Sequence, residues 1–514
     1  SFSHTTIRER WARAMDPERA VALHRHVAER LAAGMSAEPE RIAYHYLAGG
    51  TPAEAVPYAV AAADRLQAAC ADPRAAGLLE QVVDVAEGAL RVEIIDRLAD
   101  LYTAAGDVPA ARRTLDLLAE ADPARVGPRL DVRHAELLTR AADYGQARTT
   151  AEKGLDGDPE DETREALTAL AADAAYRLGD IDAAEAYCAT LADGDTARPT
   201  HAGLNLRNTN GKVHLFREAL EEAEEIFKMN LALAQSIDDH ANQARALINL
   251  GVVYLQKGSI EAALDIFERA RQLCTANNDL RHLSISLENL GVLHHRRQAY
   301  SRALSYYHQS TAASRRLGLR PQLAATALNL CELYLAVGDR GRARRLHAIA
   351  NEYITRDRMT FLEPQSLLLE GDLARSDGEL DRAANRYALA ISQVESGGGT
   401  NQRLGSLLWS QAELLLEKGE PTRAAGIVEQ ALGVPAGQSE AVSVRLRMTR
   451  GGIHRAQEDL DAAQAELTAA VHGAQQRGDH EVAWLALARL AEVEWKRKDQ
   501  KAALRALTGS VETI

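Results

Sequence analysis

Four stretches of this chain repeat at a fixed step of 40 residues, and no other feature narrows its possible folds as much. Leu250-Gly251-Val252-Val253-Tyr254 is followed by Gly258, Ala263, Phe267 and Ala270. One step later come Leu290-Gly291, His294, Ala303 and Tyr307; the next gives Leu330, Tyr334, Gly338, Ala343 and Ala350. A fourth gives Gly371, Gly378, Ala383, Tyr387 and Ala390. A constant period of this size, with small residues at constant offsets, predicts a stack of one supersecondary unit, each copy burying its apolar face on its neighbours.

The unit itself is legible. Leu247, Leu250 and Tyr254 recur at helical spacing, Gly258 suits the left-handed position that ends a helix, and Ala263, Phe267 and Ala270 line one face of a second helix. Glycine at 251 and alanine at 263 let the two backbones approach, where a larger side chain would force them apart. The frame extends upstream through Gly211/Phe227, Gly179/Ala184, Tyr144/Ala147 and Leu98/Tyr102/Gly106/Ala111. Downstream it runs through Gly419/Ala424/Ala431, Gly451/Ala463/Ala470 and Leu490/Ala491/Ala503. The expected fold is all-α: a right-handed superhelical solenoid of antiparallel helix pairs with a period of about 36–41 residues.

Leu-Gly-x-x-Tyr followed by Gly, Ala, Phe/Tyr and Ala resembles the tetratricopeptide repeat (TPR), whose usual period is about 34 residues. The longer step is similar to variants in which both helices are extended. The expected division is a helical linker over 1–48, degenerate repeats over 49–200, well-formed 40-residue repeats over 201–395, and C-terminal repeats over 396–514.

Composition excludes several classes of function. Of 514 residues, 60 are Lys or Arg and 73 are Asp or Glu, so the balance is acidic and gives no basic stripe for nucleic acid. The arginine pairs 296–297 and 315–316 and the run 340–345 read as solvated helix faces. No apolar run approaches the roughly 20 residues of a membrane span. Cys70, Cys188, Cys274 and Cys331 are far apart, with no CxxC pair, and read as buried reduced thiols. Gly211-Lys212 lacks the rest of a phosphate loop, no HExxH or GxSxG occurs, and His24/His26 and His294/His295 lack metal-ligand spacing on a helix. The segment Gly397-Gly398-Gly399 reads as a flexible loop. The reading is therefore not an enzyme, with no cofactor, no metal, no direct nucleic acid and no membrane.

The first sixty residues carry a second resemblance. Phe2-Ser-His-Thr-Thr-Ile-Arg-Glu9, then Leu23-His-Arg-His-Val-Ala-Glu-Arg-Leu31, then Ala43-Tyr-His-Tyr-Leu-Ala-Gly-Gly50 is similar to the segment that joins the core of STAND-type signalling ATPases to their C-terminal repeats. The resemblance implies the sensor arm of a cytosolic, bacterial regulator of transcription or a kinase of that architecture, in which a protein or peptide binds the repeats and an upstream NTPase domain contacts them. Ser1 is not a methionine and no apolar secretory leader follows it, which predicts a piece of a longer cytoplasmic protein. A free-standing TPR scaffold, or an enzyme with its site in the groove, are the alternatives.

Asn249, Asn289 and Asn329 stand at the same place in three successive repeats. In other TPR proteins an asparagine here faces the groove; a side-chain amide both donates and accepts, which suits a clamp on a partner's backbone. Ties between repeats would use the same chemistry. Glu288 and Arg296 flank Asn289 and are the candidates for charge recognition.

Overall fold

The computed structural model describes residues 16–34, 38–68, 72–105, 107–123, 126–141, 143–190, 199–357, 359–396, 401–434 and 440–513. Among them are twenty-six α-helices, one short 3-10 turn and no strand. The fold is an all-α repeat solenoid, as the periodicity requires. The segment Phe2–Glu9, Cys70, Gly106 and the glycines 397–399 lie outside the described residues.

The chain divides into two units, residues 1–178 and 179–514. The first holds nine helices, from Pro17–Ala32 to Asp161–Leu178, around a core that includes Leu79, Ile94, Ile95, Leu115 and Leu118. The residues that resemble the STAND linker pack its first two helices together. His24 and His45 share a hydrogen bond of 2.9 Å, and Arg25 donates to the Gly49 carbonyl at 3.1 Å. A Cβ on Gly49 would lie 2.9 Å from the Arg25 backbone nitrogen, so only glycine allows this crossing.

The second unit opens with a short helix, Ile181–Cys188, and continues as eight helical hairpins from His201–Phe216 to Gln500–Thr513. In the regular part, each helix has 17 residues, as in His240–Gln256 and Ile260–Ala276, and each connection has three. Two such helices with their connections make up the 40-residue step. The extra length over the usual repeat lies in the helices and not in the loops.

The connections obey one rule. Their middle residue is left-handed, at steps of 20: Glu218, Asp238, Gly258, Asn278, Gln298, Gly318 and Gly338 all have φ between +52° and +80°. The following N–H bonds back to a carbonyl five residues earlier, as Ser259 to Tyr254, Asp279 to Cys274 and Asp339 to Tyr334, at 2.8–2.9 Å. This hydrogen bond closes the helix end. The third residue then caps the next helix: Asp239, Asp279, Asp339, Asp459 and Asp479 accept from the backbone N–H three residues on. One tripeptide thus stops one helix and starts the next.

Within a hairpin the two helices meet where a small residue faces a ring or branched side chain 16 residues later. A Cβ on Gly251 would fall 2.6 Å from the Phe267 ring; on Gly291, 2.5 Å from Tyr307; on Gly371, 2.3 Å from Tyr387. Gly211 with Phe227 and Gly451 with Leu467 repeat the arrangement. Phe267, Tyr307 and Tyr387 are fully buried, as are Ala263, Ala303 and Ala383. Cys188, Cys274 and Cys331 are buried and unbridged; burial pushes each thiol up to about 12, so none is a thiolate near neutrality.

Two outcomes follow. Gly251→Ala should destabilise its hairpin by about 1–3 kcal/mol, and the cost should shrink in a Phe267→Leu background that makes room for the methyl, as read by denaturant unfolding. Gln298→Gly should stabilise the chain by about 0.5–1 kcal/mol and so raise the denaturant midpoint, because a left-handed side chain costs about 1–2 kcal/mol that glycine avoids, less glycine's own entropy cost.

Candidate functional site

The first helices of successive hairpins in the second unit touch one another, whereas second helices have no comparable contact with each other. First helices therefore sit on the inner side of the curve. Two further contacts require such curvature. Arg489 donates to Glu413 at 2.9 Å, joining the eighth hairpin to the sixth past the seventh. A Cβ on Gly258 would meet the Arg477 guanidinium at 2.6 Å, so the second hairpin's connection lies against that leading into the eighth. The inner wall is formed by one face of the first helices His201–Phe216, His240–Gln256, Leu280–Arg296, Arg320–Ala336, Glu363–Ser376, Asn401–Glu417, Glu440–Ala456 and His480–Lys496.

The edge of the array and its inner wall treat charge differently. Along the edge, the first connection residue of a hairpin repeatedly bridges to the preceding second helix. Arg217 meets Asp182, Lys257 meets Glu221 and Glu224, Arg297 meets Glu261, Lys418 meets Asp381, and Arg497 meets Asp461. Such exposed pairs are worth about 0–1 kcal/mol each and chiefly favour the register.

On the inner wall, the five residues singled out from the sequence are not equivalent. Asn249, Asn289 and Asn329 are all half-buried. Asn249 donates to Asn208 Oδ1 at 2.6 Å, and Asn329 donates to Glu288 Oε1 at 2.6 Å, so both tie neighbouring first helices together. Gln365 adds a longer contact of 3.4 Å to Asn329. Asn289 Nδ2 reaches only the Ile285 carbonyl of its own helix, at 3.0 Å. Glu288 is 9% exposed, and burial pushes its carboxyl up to about 8 against the opposing Asn329 bond.

Arg296 faces a different environment. Its surface is exposed to solvent, yet burial is the main cause that lowers its guanidinium, followed by the Arg445 charge. Both statements hold for a side chain on the wall of a narrow groove, reached by water but flanked by protein. Glu332 and Asp479 oppose that shift, and Arg477 adds to it, so groups from three hairpins converge here.

Beside it stand carboxylates that the repeat signature did not reveal. Glu332, Asp372 and Glu413 follow one another on consecutive first helices, 40 and then 41 residues apart. That series was visible in the sequence, but it lies outside the positions that define the repeat. Asp372 accepts from Tyr387 Oη at 2.6 Å; burial, with Glu332 adding, holds its carboxyl up at about 6 despite that bond. Burial alone would raise Glu413, but the bonds from Arg489 and Thr449 outweigh it and leave it lowered. Glu481 is raised by burial, with Arg445 opposing and Asp479 and Glu332 adding. Arg445 lies over the Trp409 ring at 4.9 Å, and Trp409 Nε1 donates to Thr449 at 3.1 Å. Arg296, Glu332 and Glu481 make no hydrogen bond or ion pair among the described residues. No group of three metal-ligating side chains occurs among the described residues either.

Residues 202–276 match the family described as Tetratricopeptide repeat, which covers the first two full hairpins of the second unit. The array as a whole is an all-α helical repeat solenoid, with tetratricopeptide repeats matched in those two hairpins. Among solved structures, a Rap protein complexed with competence and sporulation factor is similar at 12% identity, over 68% of this chain and 97% of that chain, with a TM-score of 0.51. The apo form of the quorum sensor NprR from B. thuringiensis is similar at 12% identity, over 67% and 97%, with a TM-score of 0.45. At such identity the likeness to the Rap protein is one of fold. No curated protein matches the sequence.

The buried Glu288 makes stability depend on pH. Its folded pKa lies above the usual glutamate value, so the folded chain keeps a proton that the unfolded chain releases between about pH 4.5 and 8, and stability falls as pH rises through that window. Glu288→Gln keeps the Oε1 acceptor for Asn329 but cannot ionise. Its Tm should match the wild type near pH 5 and exceed it by a few degrees, about 2–4, near pH 8.5. Asp372 contributes equally to both proteins and cancels.

Proposed function

We propose that the second unit is a binding module that takes an extended protein or peptide segment along its inner wall, and that it has no catalytic role. The carrying observation is the contrast in pairing. Charges along the edge are matched in a regular ladder, while Arg296, Glu332 and Glu481 stand on the inner wall without ion pairs, beside amides that both donate and accept. Unpaired charges in a confined groove cost stability, and a surface that keeps them is arranged for something other than folding. A protein of like fold holds competence and sporulation factor in its crystal structure, which is consistent with this use of the scaffold.

Within this reading the asparagines divide the work. Asn289, whose amide serves only its own helix, clamps the partner's backbone, with Arg296 adding charge recognition on the same helix. Asn249, Asn329 and Glu288 hold the helices that present it. The module serves as the sensor arm of a cytosolic STAND-type regulator; the support is the linker resemblance, whose residues His24, Arg25, His45 and Gly49 pack together in the first unit. Sequencing the gene upstream of Ser1 tests that part, since a nucleotide-binding core should be encoded there.

The binding reading is tested by hydrogen exchange on the full chain with a peptide retained from a random library. Protection should concentrate in the first helices 280–296, 320–336 and 363–376 and spare their second helices. Asn289→Ala should weaken that peptide by about 0.5–1.5 kcal/mol at unchanged Tm, whereas Asn329→Ala should lower stability. Protection confined to the outer helices would remove the groove as the site.

A further inference from the structure

The inner wall carries a specific electrical imbalance at its middle. Five carboxylates and three arginines meet there: Glu288, Glu332, Asp372, Asp479 and Glu481, with Arg296, Arg445 and Arg477. Several drop out of the balance. Glu288 is buried and bonded to Asn329, and keeps its proton near neutrality. Arg445 lies 4.0 Å from Asp479, so these two offset each other. Neighbouring charges are also spoken for: Glu413 is bridged by Arg489, and Arg375 donates to Glu417. What remains is Glu332, Asp372 and Glu481 against Arg296 and Arg477, a smaller but still negative excess in a place that water reaches but bulk solvent screens poorly.

A second observation points into the same place. Tyr307 is fully buried, and its hydroxyl has no hydrogen-bond partner. The ring lies against Gly291, and the charged neighbours of the hydroxyl are Glu332, Glu288 and Arg296. Tyr387, the same residue two hairpins on, donates to Asp372 on its own first helix. In the Tyr307 hairpin that position is Val292, so this phenol has no carboxylate of its own. A buried hydroxyl left unbonded beside unpaired carboxylates marks a gap in the protein's own hydrogen bonding.

We propose that the middle of the inner wall is a subsite for one cationic side chain, an arginine or lysine of the bound segment, held between Glu332, Asp372 and Glu481 with the Tyr307 hydroxyl as a further acceptor. This rests on the reading that the groove takes a peptide. Glu332 and Asp372 approach from adjacent first helices of the fourth and fifth hairpins and Glu481 from the last, so the cation bridges the middle of the array to its C-terminal end. Arg296, beside them, excludes a second cation and leaves room for one.

The test uses the full chain and two N-acetylated, C-amidated hexapeptide libraries of equal random composition, one with a fixed central arginine and one with citrulline, its uncharged near-isostere. Retained arginine peptides are then measured by calorimetry against their citrulline counterparts. The subsite predicts at least a tenfold preference for arginine, and Glu332→Gln and Glu481→Gln, each on an exposed position, should reduce that preference toward unity while citrulline peptides bind as before. Tyr307→Phe should weaken the arginine peptides at equal or higher Tm. If peptides bind the inner wall with arginine and citrulline alike, the cationic subsite is wrong and the peptide-binding reading stands. If neither library binds, both fall.

Discussion

Everything in the second unit depends on how closely a first helix can lie to its second. That distance is set where a residue without a side chain, or with a small one, receives a ring 16 positions later: Gly211 and Phe227, Gly251 and Phe267, Gly291 and Tyr307, Gly371 and Tyr387. Because the contact recurs at the same 16-residue spacing in five of the eight hairpins, those hairpins stack in register, and the register places Asn289, Glu332 and Asp372 on one wall. The buried tyrosines do double duty. Their rings fix the hairpin, and their hydroxyls pass between the helices toward charged groups of the inner wall.

Much of this was legible in the sequence because the fold writes its constraints locally. The 40-residue step reports helix and connection lengths directly, and Gly258 and Gly338 announce their left-handed ends. Glu218, Asn278, Gln298 and Lys498 adopt the same conformation without glycine's signal, so the turn rule was only half visible. The hairpin with Cys331 and His347 in place of glycine and ring was also hidden; there His347 instead bonds the Ser366 carbonyl at 2.9 Å in the next hairpin.

The inner wall was less legible for a physical reason. Repeat signatures record what packs one helix on another, whereas groove residues are free of that requirement and vary from hairpin to hairpin. Asn249, Asn289 and Asn329 look alike in the sequence, yet two of them bond across to Asn208 and Glu288 while the third turns to its own helix. The difference lies in what stands 41 residues earlier, which is Asn208 for Asn249, Ile248 for Asn289 and Glu288 for Asn329. Likewise, Glu481 meets Glu332 only because the array curves, and curvature accumulates over repeats without appearing in any single one.

The approach of Gly258 to Arg477 has a consequence of another kind. A solenoid whose units touch only the next in line behaves as a row, in which disorder at one end need not be felt at the other. A contact across more than two hundred residues turns that row into a loop. Loops have boundary conditions: the pitch of each hairpin is constrained by the sum over all of them, so a small change of angle at one step must be shared by the rest or open the seam. Arg477, on the connection into the eighth hairpin, is the side chain through which such a change would reach Gly258.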